Sequence, residues 1–244
     1  LDWAPGTATF VYPNDQREAT SWYHDHTLGI TRLNVYAGPA GFFLIRGPFD
    51  TVRDSRDGSA AILPGPPPPR WPADPFGTYY EIPLAIQDRS FNDDGSLFYP
   101  DNRAFFEELN VPGEPEQFPG EGELRIPFAF DPACSGPSDI APIWNPEFFG
   151  NAMLVNGRTW PYLDVEQRRY RFRLLNGCNS RFLILQFDHP DVEVWQIGSE
   201  GGFLAEPVNI NAVSNGLLLM GPAERADVIV DFSNVPAGVS FRLL

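Results

Sequence analysis

Prolines are spaced too closely along this chain to allow long helices. The sequence has 26 prolines and 22 glycines in 244 residues, and a proline inside a helix removes a backbone hydrogen bond and clashes with the preceding turn. Apolar and polar residues also alternate with a period of two, most clearly from Arg169 to Leu174 (RYRFRL). Such alternation is typical of strands with one buried face. The pattern predicts an all-β chain folded as a β-sandwich.

The same alternation locates the individual strands. On the strand that begins at Arg169, the arginines point away from the apolar face, and we expect their face to be either solvated or in contact with another domain. One helical turn is predicted near residues 103–109. The other strands are predicted at residues 7–12, 41–45, 79–86, 153–155, 182–187, 192–197, 217–220 and 226–232.

A proline-rich stretch divides the chain. Residues 47–77 contain the run PGPPPP at Pro64–Pro69, and polyproline is stiff and extended, which suits a linker. Residues 1–46 are too few for an independent sandwich, whereas residues 78–244 are enough for a complete one. We therefore predict part of one domain, a linker and a whole second domain, with a long Glu/Pro-rich loop inside the second.

Charge excludes two classes of partner. The formal net charge is −15 and all 17 basic residues are arginine. Nucleic acid and anionic membranes would both repel such a chain, so neither is an expected partner. No apolar run approaches the roughly 20 residues of a membrane-spanning helix. The acidic, lysine-free composition fits either a GC-rich genome or adaptation to salt, and it leaves the cellular compartment open.

Two of the three histidines, His24 and His26, lie one residue apart within SWYHDHT. On a strand they would project from the same face, with Asp25 turned away. Their Cβ atoms would be about 6–7 Å apart, given a rise of about 3.3 Å per residue. That spacing suits two metal ions side by side better than one, and imidazole is a good ligand for copper, zinc and iron. Two histidines packed or hydrogen-bonded on a strand would give the same pattern.

The remaining candidate ligands carry weaker signals. The two cysteines, Cys134 and Cys178, can form one disulfide or none, and neither has a histidine beside it. Cysteine is among the most often buried residues, so we expect small buried or free thiols. His189 lies among turn residues and is expected in an exposed loop.

The segment from Trp22 to Gly41 carries a family resemblance. It reads WYHDHTLGITRLNVYAGPAG and resembles the second histidine motif of the multicopper oxidases. Its form is most similar to that of the bacterial spore-coat laccases and bilirubin oxidases. Further stretches resemble the same family and extend the likeness over nearly the whole chain, apart from the proline-rich stretch and the Glu/Pro-rich loop. They are residues 81–92, 94–100, 154–162, 168–176, 196–202 and 222–232.

The resemblance implies cupredoxin-like Greek-key β-domains and bound copper. In this family a type 1 copper takes electrons from phenolic or other aromatic substrates, and a trinuclear cluster reduces O2 to water. His24 and His26 match the ligands of the type 3 pair, one to each copper, and Asp25 would at most support them. Pro146, Glu147 and Phe149 match a segment expected to line the substrate pocket, although plain packing at the entry of a strand is an equal alternative.

The other ligand motifs of the family are missing. They are an H-x-H in the first domain and two motifs in the third domain, including an H-C-H that supplies the type 1 thiolate. We therefore expect the end of domain 1 plus domain 2, inactive alone. Its partners would be the remaining segments of the same oxidase, O2 and small aromatic reductants. A stand-alone copper-binding or structural cupredoxin module is the alternative. A two-domain copper nitrite reductase would have His-Cys where His24 and Asp25 stand.

Overall fold

The computed structural model describes residues 4–46, 63–64, 80–100, 104–111, 113–123 and 147–244. Within these residues there are twelve strands and three short helices. The strands are β1 Ala19–His24, β2 Ala40–Ile45, β3 Glu81–Phe91, β4 Leu97–Phe98, β5 Ala152–Val155, β6 Arg158–Thr159, β7 Arg169–Asn176, β8 Leu183–Leu185, β9 Glu193–Ser199, β10 Gly202–Asn209, β11 Leu218–Met220 and β12 Arg225–Asp231. The helices are α1 Thr31–Ala37, α2 Ala104–Glu107 and α3 Ile210–Ser214.

Most of the strands form one sheet in the order β10-β9-β12-β7-β3-β5-β6, with β4 paired to β3. Strand β3 runs parallel to β7, and the other pairs are antiparallel. Neighbours in the sheet are mostly not consecutive in the chain, as in Greek-key arrangements. Strands β8 and β11 form a second sheet, and β1 pairs with β2 through the register His24 opposite Ala40.

The core lies between the large sheet and the β8–β11 pair. Tyr170, Phe172 and Leu174 of β7 are 2%, 4% and 3% exposed, because alternate side chains of this strand face inward. The same buried cluster includes four side chains of the second sheet: Leu183, Leu185, Leu218 and Met220. Two layers around one core make a sandwich, so the all-β prediction is confirmed.

Not every predicted element is present. Residues 7–12 form no strand, and Phe10, Val11 and Tyr12 are exposed, so that prediction is wrong. Helix α2 confirms the turn predicted near residues 103–109, whereas α1, α3 and strand β10 were not predicted. Helix α1 buries only Tyr36, so it has no apolar stripe with a helical period to reveal it. Apart from residues 63–64, the predicted linker at residues 47–77 lies outside the described residues.

Two of the three arginines on the outer face of β7 are not solvated. Arg171 and Arg173 are only 2% and 1% exposed. Arg171 donates through Nε to Asp227 of β12 at 2.8 Å, and Arg173 donates to Glu81 of β3. Arg173 also donates to the hydroxyl of Thr20 on β1 at 2.8 Å. The expectation of a solvated face is therefore wrong for these two arginines, and Arg173 reaches strand β1 through Thr20.

Glu81 joins the N-terminal hairpin, which consists of β1 and β2, to the large sheet. Arg46, just after β2, donates two hydrogen bonds to its carboxylate, at 3.0 and 2.9 Å, and Arg173 donates a third. Burial raises the pKa of Glu81, but the hydrogen bonds and charges of Arg46 and Arg173 outweigh it and hold the pKa below its ordinary value. Arg225 of β12 adds a hydrogen bond from Nε to the carbonyl of Thr20 at 3.0 Å. The hairpin is therefore held by charge-assisted hydrogen bonds.

Two aspartates on β12 provide a matched test of this network. Asp227 pairs with buried Arg171, whereas Asp231 pairs with Arg169, whose side chain is 71% exposed. Asp227→Asn should lower the free energy of unfolding by about 3–5 kcal/mol, because it removes a buried negative charge that pairs with the buried guanidinium of Arg171. Asp231→Asn should cost no more than about 1 kcal/mol. Urea unfolding of both variants measures the difference, and equal effects would contradict the assignment.

Candidate metal site

His24 and His26 lie at the end of the β1–β2 hairpin where the segment containing α1 connects the two strands. Strand β1 ends at His24, so His26 is in the following turn rather than on the strand. The two rings nevertheless stack, with centroids 5.6 Å apart and planes inclined by 28°. The indole of Trp22 also packs on the ring of His24, with the two ring centroids 4.5 Å apart. His24 is half-buried and His26 is exposed.

A backbone hydrogen bond sets the tautomer of His24. Its Nδ1 lies 2.6 Å from the carbonyl oxygen of Asp25. A carbonyl can only accept, so neutral His24 carries its proton on Nδ1 and keeps the lone pair on Nε2. Imidazole ligands to metals characteristically have this arrangement, with the other ring nitrogen bonded to a carbonyl or a carboxylate. Asp25 therefore contacts the ring through its backbone.

The carboxylate of Asp25, by contrast, stabilises the turn formed by residues 25–27. It accepts from the backbone N–H of Thr27 at 3.0 Å, from the Thr27 hydroxyl at 2.8 Å and from the side-chain amide of Asn34 at 3.1 Å. The backbone bond from Thr27 contributes most to lowering the pKa of Asp25. Since Asn34 is on α1, this carboxylate connects residues 25–27, which we call the histidine turn, to the helix.

Helix α1 is in turn fixed to the large sheet by Tyr36, which is 4% exposed. The Tyr36 hydroxyl accepts from the backbone N–H of Ser90 at 2.9 Å and donates to the carbonyl of Phe98 at 2.7 Å. Burial raises the pKa of Tyr36, so the phenol stays protonated and can donate. Its ring also contacts Phe148 edge-on at 5.1 Å, with the guanidinium of Arg89 4.6 Å from the ring centroid.

The segment predicted to line a substrate pocket is only partly described. Pro146 lies outside the described residues, while Glu147 and Phe149 are exposed. Phe148, between them, is 1% exposed and packs against Tyr36. The guanidinium of Arg181 lies 5.5 Å from the ring centroid of Phe149. The side chains of Glu147 and Phe149 thus point outward, while that of Phe148 packs inside and anchors the segment.

Asp88 holds this segment against the sheet. Its carboxylate is fully buried and accepts from the backbone N–H of Gly150 at 2.7 Å and from that of Asn179 at 3.1 Å. Arg181 closes the arrangement by donating to the carbonyl of Gly150 at 2.9 Å. Gly150 lies so close to β3 that a Cβ atom there would be 2.5 Å from the backbone nitrogen of Arg89. Only glycine fits this contact.

The other candidate ligands are placed less favourably. Cys178 is 6% exposed, and burial raises the pKa of its thiol to about 12. It is therefore a protonated thiol at neutral pH, whereas metals bind the thiolate. Cys134 lies outside the described residues. His189 is in a loop as expected, but it is half-buried against Phe241, and its Nδ1 accepts from the backbone N–H of Asp191.

The part of the chain that the structure describes contains no group of three or more His, Cys, Asp or Glu side chains able to hold a metal ion. His24 and His26 are a pair of imidazoles without a third such neighbour among those residues. In the same described part, no helix is long and apolar enough to cross a membrane.

Known proteins share both this sequence and this fold. Laccases of Bacillus stratosphericus and Bacillus subtilis are 41% and 38% identical to the chain, each over 92% of its length. The crystal structure of the McoA multicopper oxidase from Aquifex aeolicus superimposes on 93% of the chain with a TM-score of 0.60 and 26% identity. The chain covers 37% of that structure. No protein-family model matches the chain.

The chain is homologous to the multicopper oxidases and shares their cupredoxin-type β-sandwich fold, as the sequence predicted. Its relatives in that family include the laccase that is 41% identical to it. The chain spans about a third of the length of the two laccases, namely 34% and 33%.

The close contact at Gly150 leads to a prediction about the exposed segment. Gly150→Ala should destabilise the protein by about 1–3 kcal/mol, since the new methyl group has to displace the backbone of β3. Gly201→Ala is the matched control, because a Cβ atom at that position meets nothing within 4 Å. Thermal unfolding of the two variants checks this. A Gly150→Ala variant as stable as Gly201→Ala would show that the contact is not tight.

Proposed function

We propose that this chain supplies two ligands of the type 3 copper pair of a laccase-like multicopper oxidase, with His24 bound to one copper and His26 to the other. Copper, when bound there, would supply the redox chemistry that reduces O2 to water with electrons from phenolic or other aromatic compounds. The work of this chain's own residues is to place two imidazoles side by side, with Nε2 of His24 available for coordination. The stacking of the two rings is the observation that carries the proposal.

The ring geometry favours one copper for each histidine. An imidazole nitrogen binds a metal through a lone pair in the plane of the ring. Two rings with centroids 5.6 Å apart and planes 28° apart do not aim their lone pairs at a point between them. Two adjacent metal ions fit this arrangement better than one chelated ion. The hydrogen bond from Nδ1 of His24 to Asp25 leaves Nε2 for coordination.

The donor set fits copper but is incomplete by itself. Neutral imidazole suits copper among the transition metals, and two histidines provide only part of the coordination that a pair of coppers needs. The missing ligands would come from further segments of the same oxidase, an upstream H-x-H and downstream motifs that include H-C-H. The one-third coverage of the laccases supports this view.

The domain boundaries follow from the same proposal. Residues 1–46 would be the last part of one cupredoxin domain, residues 47–77 a linker, and residues 78–244 a second cupredoxin-like domain. The buried contacts of Glu81 with Arg46 and of Arg173 with Thr20 would then be contacts between domains. They support the proposal because they fix the histidine hairpin to the second domain.

The reducing substrate would meet this chain at residues 146–149. Glu147 and Phe149 are exposed, and we propose that they line the pocket together with Pro146. Phe149 offers an aromatic face that suits phenols or aromatic amines. Arg181, beside the Phe149 ring, adds a positive charge at the same surface.

Copper titration of the 244-residue chain tests the ligand assignment. His24→Ala and His26→Ala should each weaken copper binding by about tenfold or more, because each removes one of the few donors. His189→Ala should leave binding unchanged, since His189 lies in a separate loop. Isothermal titration calorimetry measures all three. Equal effects of the three substitutions would overturn the assignment.

The same samples separate the two functional hypotheses. The copper-loaded chain should oxidise a phenolic dye no faster than free copper, because it lacks the other ligands. Turnover above that level would contradict the proposal that the site is shared with other segments. A reading frame without an upstream H-x-H and a downstream H-C-H would instead favour the stand-alone copper-binding or structural module.

A further inference from the structure

Helix α1 is too short to be stable by itself. It has seven residues, no side-chain cap at its first turn, and one buried residue, Tyr36. Isolated helices below about 12–15 residues are marginal in water. The position of α1 therefore depends on the contacts of Tyr36, which are made with the large sheet and with the segment of Phe148.

The same helix holds the histidine turn. Asn34 donates to the carboxylate of Asp25, and the hydroxyl of Thr31 donates to the carbonyl of Thr27 at 2.7 Å. Asp25 in turn accepts the Nδ1 hydrogen bond of His24 through its carbonyl. A displacement of α1 would therefore move the group that fixes the tautomer of His24.

We infer that Tyr36 is a positioning residue, whose buried hydroxyl couples the Phe148 segment and the large sheet to the orientation of His24 and His26. The inference rests on the proposed function of that histidine pair. It adds a path that runs from Phe148 to Tyr36 by ring contact, along α1 from Tyr36 to Asn34, and by hydrogen bonds through Asp25 to His24. The outward residues beside Phe148, Glu147 and Phe149, are those proposed to meet the reducing substrate. The two proposed sites are thus mechanically connected.

The hydroxyl matters more than the ring in this path. The ring packs on Phe148 and on Tyr99, at 5.1 and 5.0 Å, and phenylalanine would keep these contacts. The hydroxyl both accepts from Ser90 and donates to Phe98. Without it, the buried backbone N–H of Ser90 and the carbonyl of Phe98 each lose one hydrogen bond, which is costly away from water. Tyr36→Phe is therefore a narrow test of positioning.

The experiment uses the metal-free chain, with the tautomers of the histidine rings followed by long-range proton–nitrogen NMR. In the unaltered chain His24 should show a proton on Nδ1. Tyr36→Phe should shift the His24 ring signals and mix its tautomers. It should also raise amide hydrogen exchange at Asn34 and Gly38 by about five- to tenfold, as the loss of one buried hydrogen bond implies.

Tyr80→Phe is the matched control. It removes a hydroxyl that donates to the exposed carboxylate of Glu166, at 3.0 Å, and does not contact α1. The His24 signals and the exchange of α1 should stay unchanged in this variant. A shift of His24 as large as that in Tyr36→Phe would overturn the inference, because a general loss of stability would then explain both.

Asn34→Ala keeps the inference testable if Tyr36→Phe does not fold. It cuts the path between α1 and Asp25 without touching Tyr36, and it should shift the His24 signals in the same way. In the double variant the shift should be no larger than in either single one, because both act through one path. Additive shifts, or an unchanged His24 in Asn34→Ala, would overturn the inference.

Copper affinity separates this inference from the proposed function. If the proposed function holds, Tyr36→Phe should weaken copper binding severalfold while Tyr80→Phe does not. If the unaltered chain binds no copper at its histidines, the proposed function fails, yet the metal-free NMR result still decides the positioning role. Unchanged copper binding in a Tyr36→Phe chain with shifted His24 signals would contradict the link between position and ligation.

Discussion

The buried carboxylate of Glu81, enclosed by the guanidinium groups of Arg46 and Arg173, is the interaction on which the arrangement of this chain depends. A buried charge is tolerated only when it is paired and hydrogen-bonded. Two of the three hydrogen bonds that Glu81 accepts, those from Arg46, form only when the N-terminal hairpin lies against the large sheet. The pairing therefore specifies where the hairpin sits, and with it the position of His24 and His26 relative to the second part of the chain.

From this anchor the site is built by a series of hydrogen bonds. Tyr36 fixes α1 to the sheet, Asn34 and Asp25 fix the turn to α1, and the carbonyl of Asp25 fixes the ring of His24. The outcome is a half-buried imidazole with its Nε2 lone pair available and a second imidazole stacked beside it. In the proposed oxidase, imidazoles placed in this way would hold the coppers with little reorganisation.

The sequence predicted the sandwich, but for the outer face of β7 it left two alternatives, solvent or contact with another domain. Alternation in RYRFRL located Tyr170, Phe172 and Leu174 in the core, yet it cannot tell a face that meets water from one that meets a second layer of protein. Helix α1 escaped prediction because a single buried residue, Tyr36, gives no periodicity. The pairing of His24 with His26 was predictable from their spacing, but the tautomer was not, since it depends on a backbone carbonyl. The role of copper came from the family resemblance.

Copper-edge anomalous diffraction from crystals of the copper-loaded oxidase that contains this chain tests the central claim most directly. The account predicts two separate copper peaks, one within bonding distance of a ring nitrogen of His24 and the other beside His26, with Nε2 as the ligand atom of His24. One copper shared by both rings, or no copper at either histidine, would contradict it.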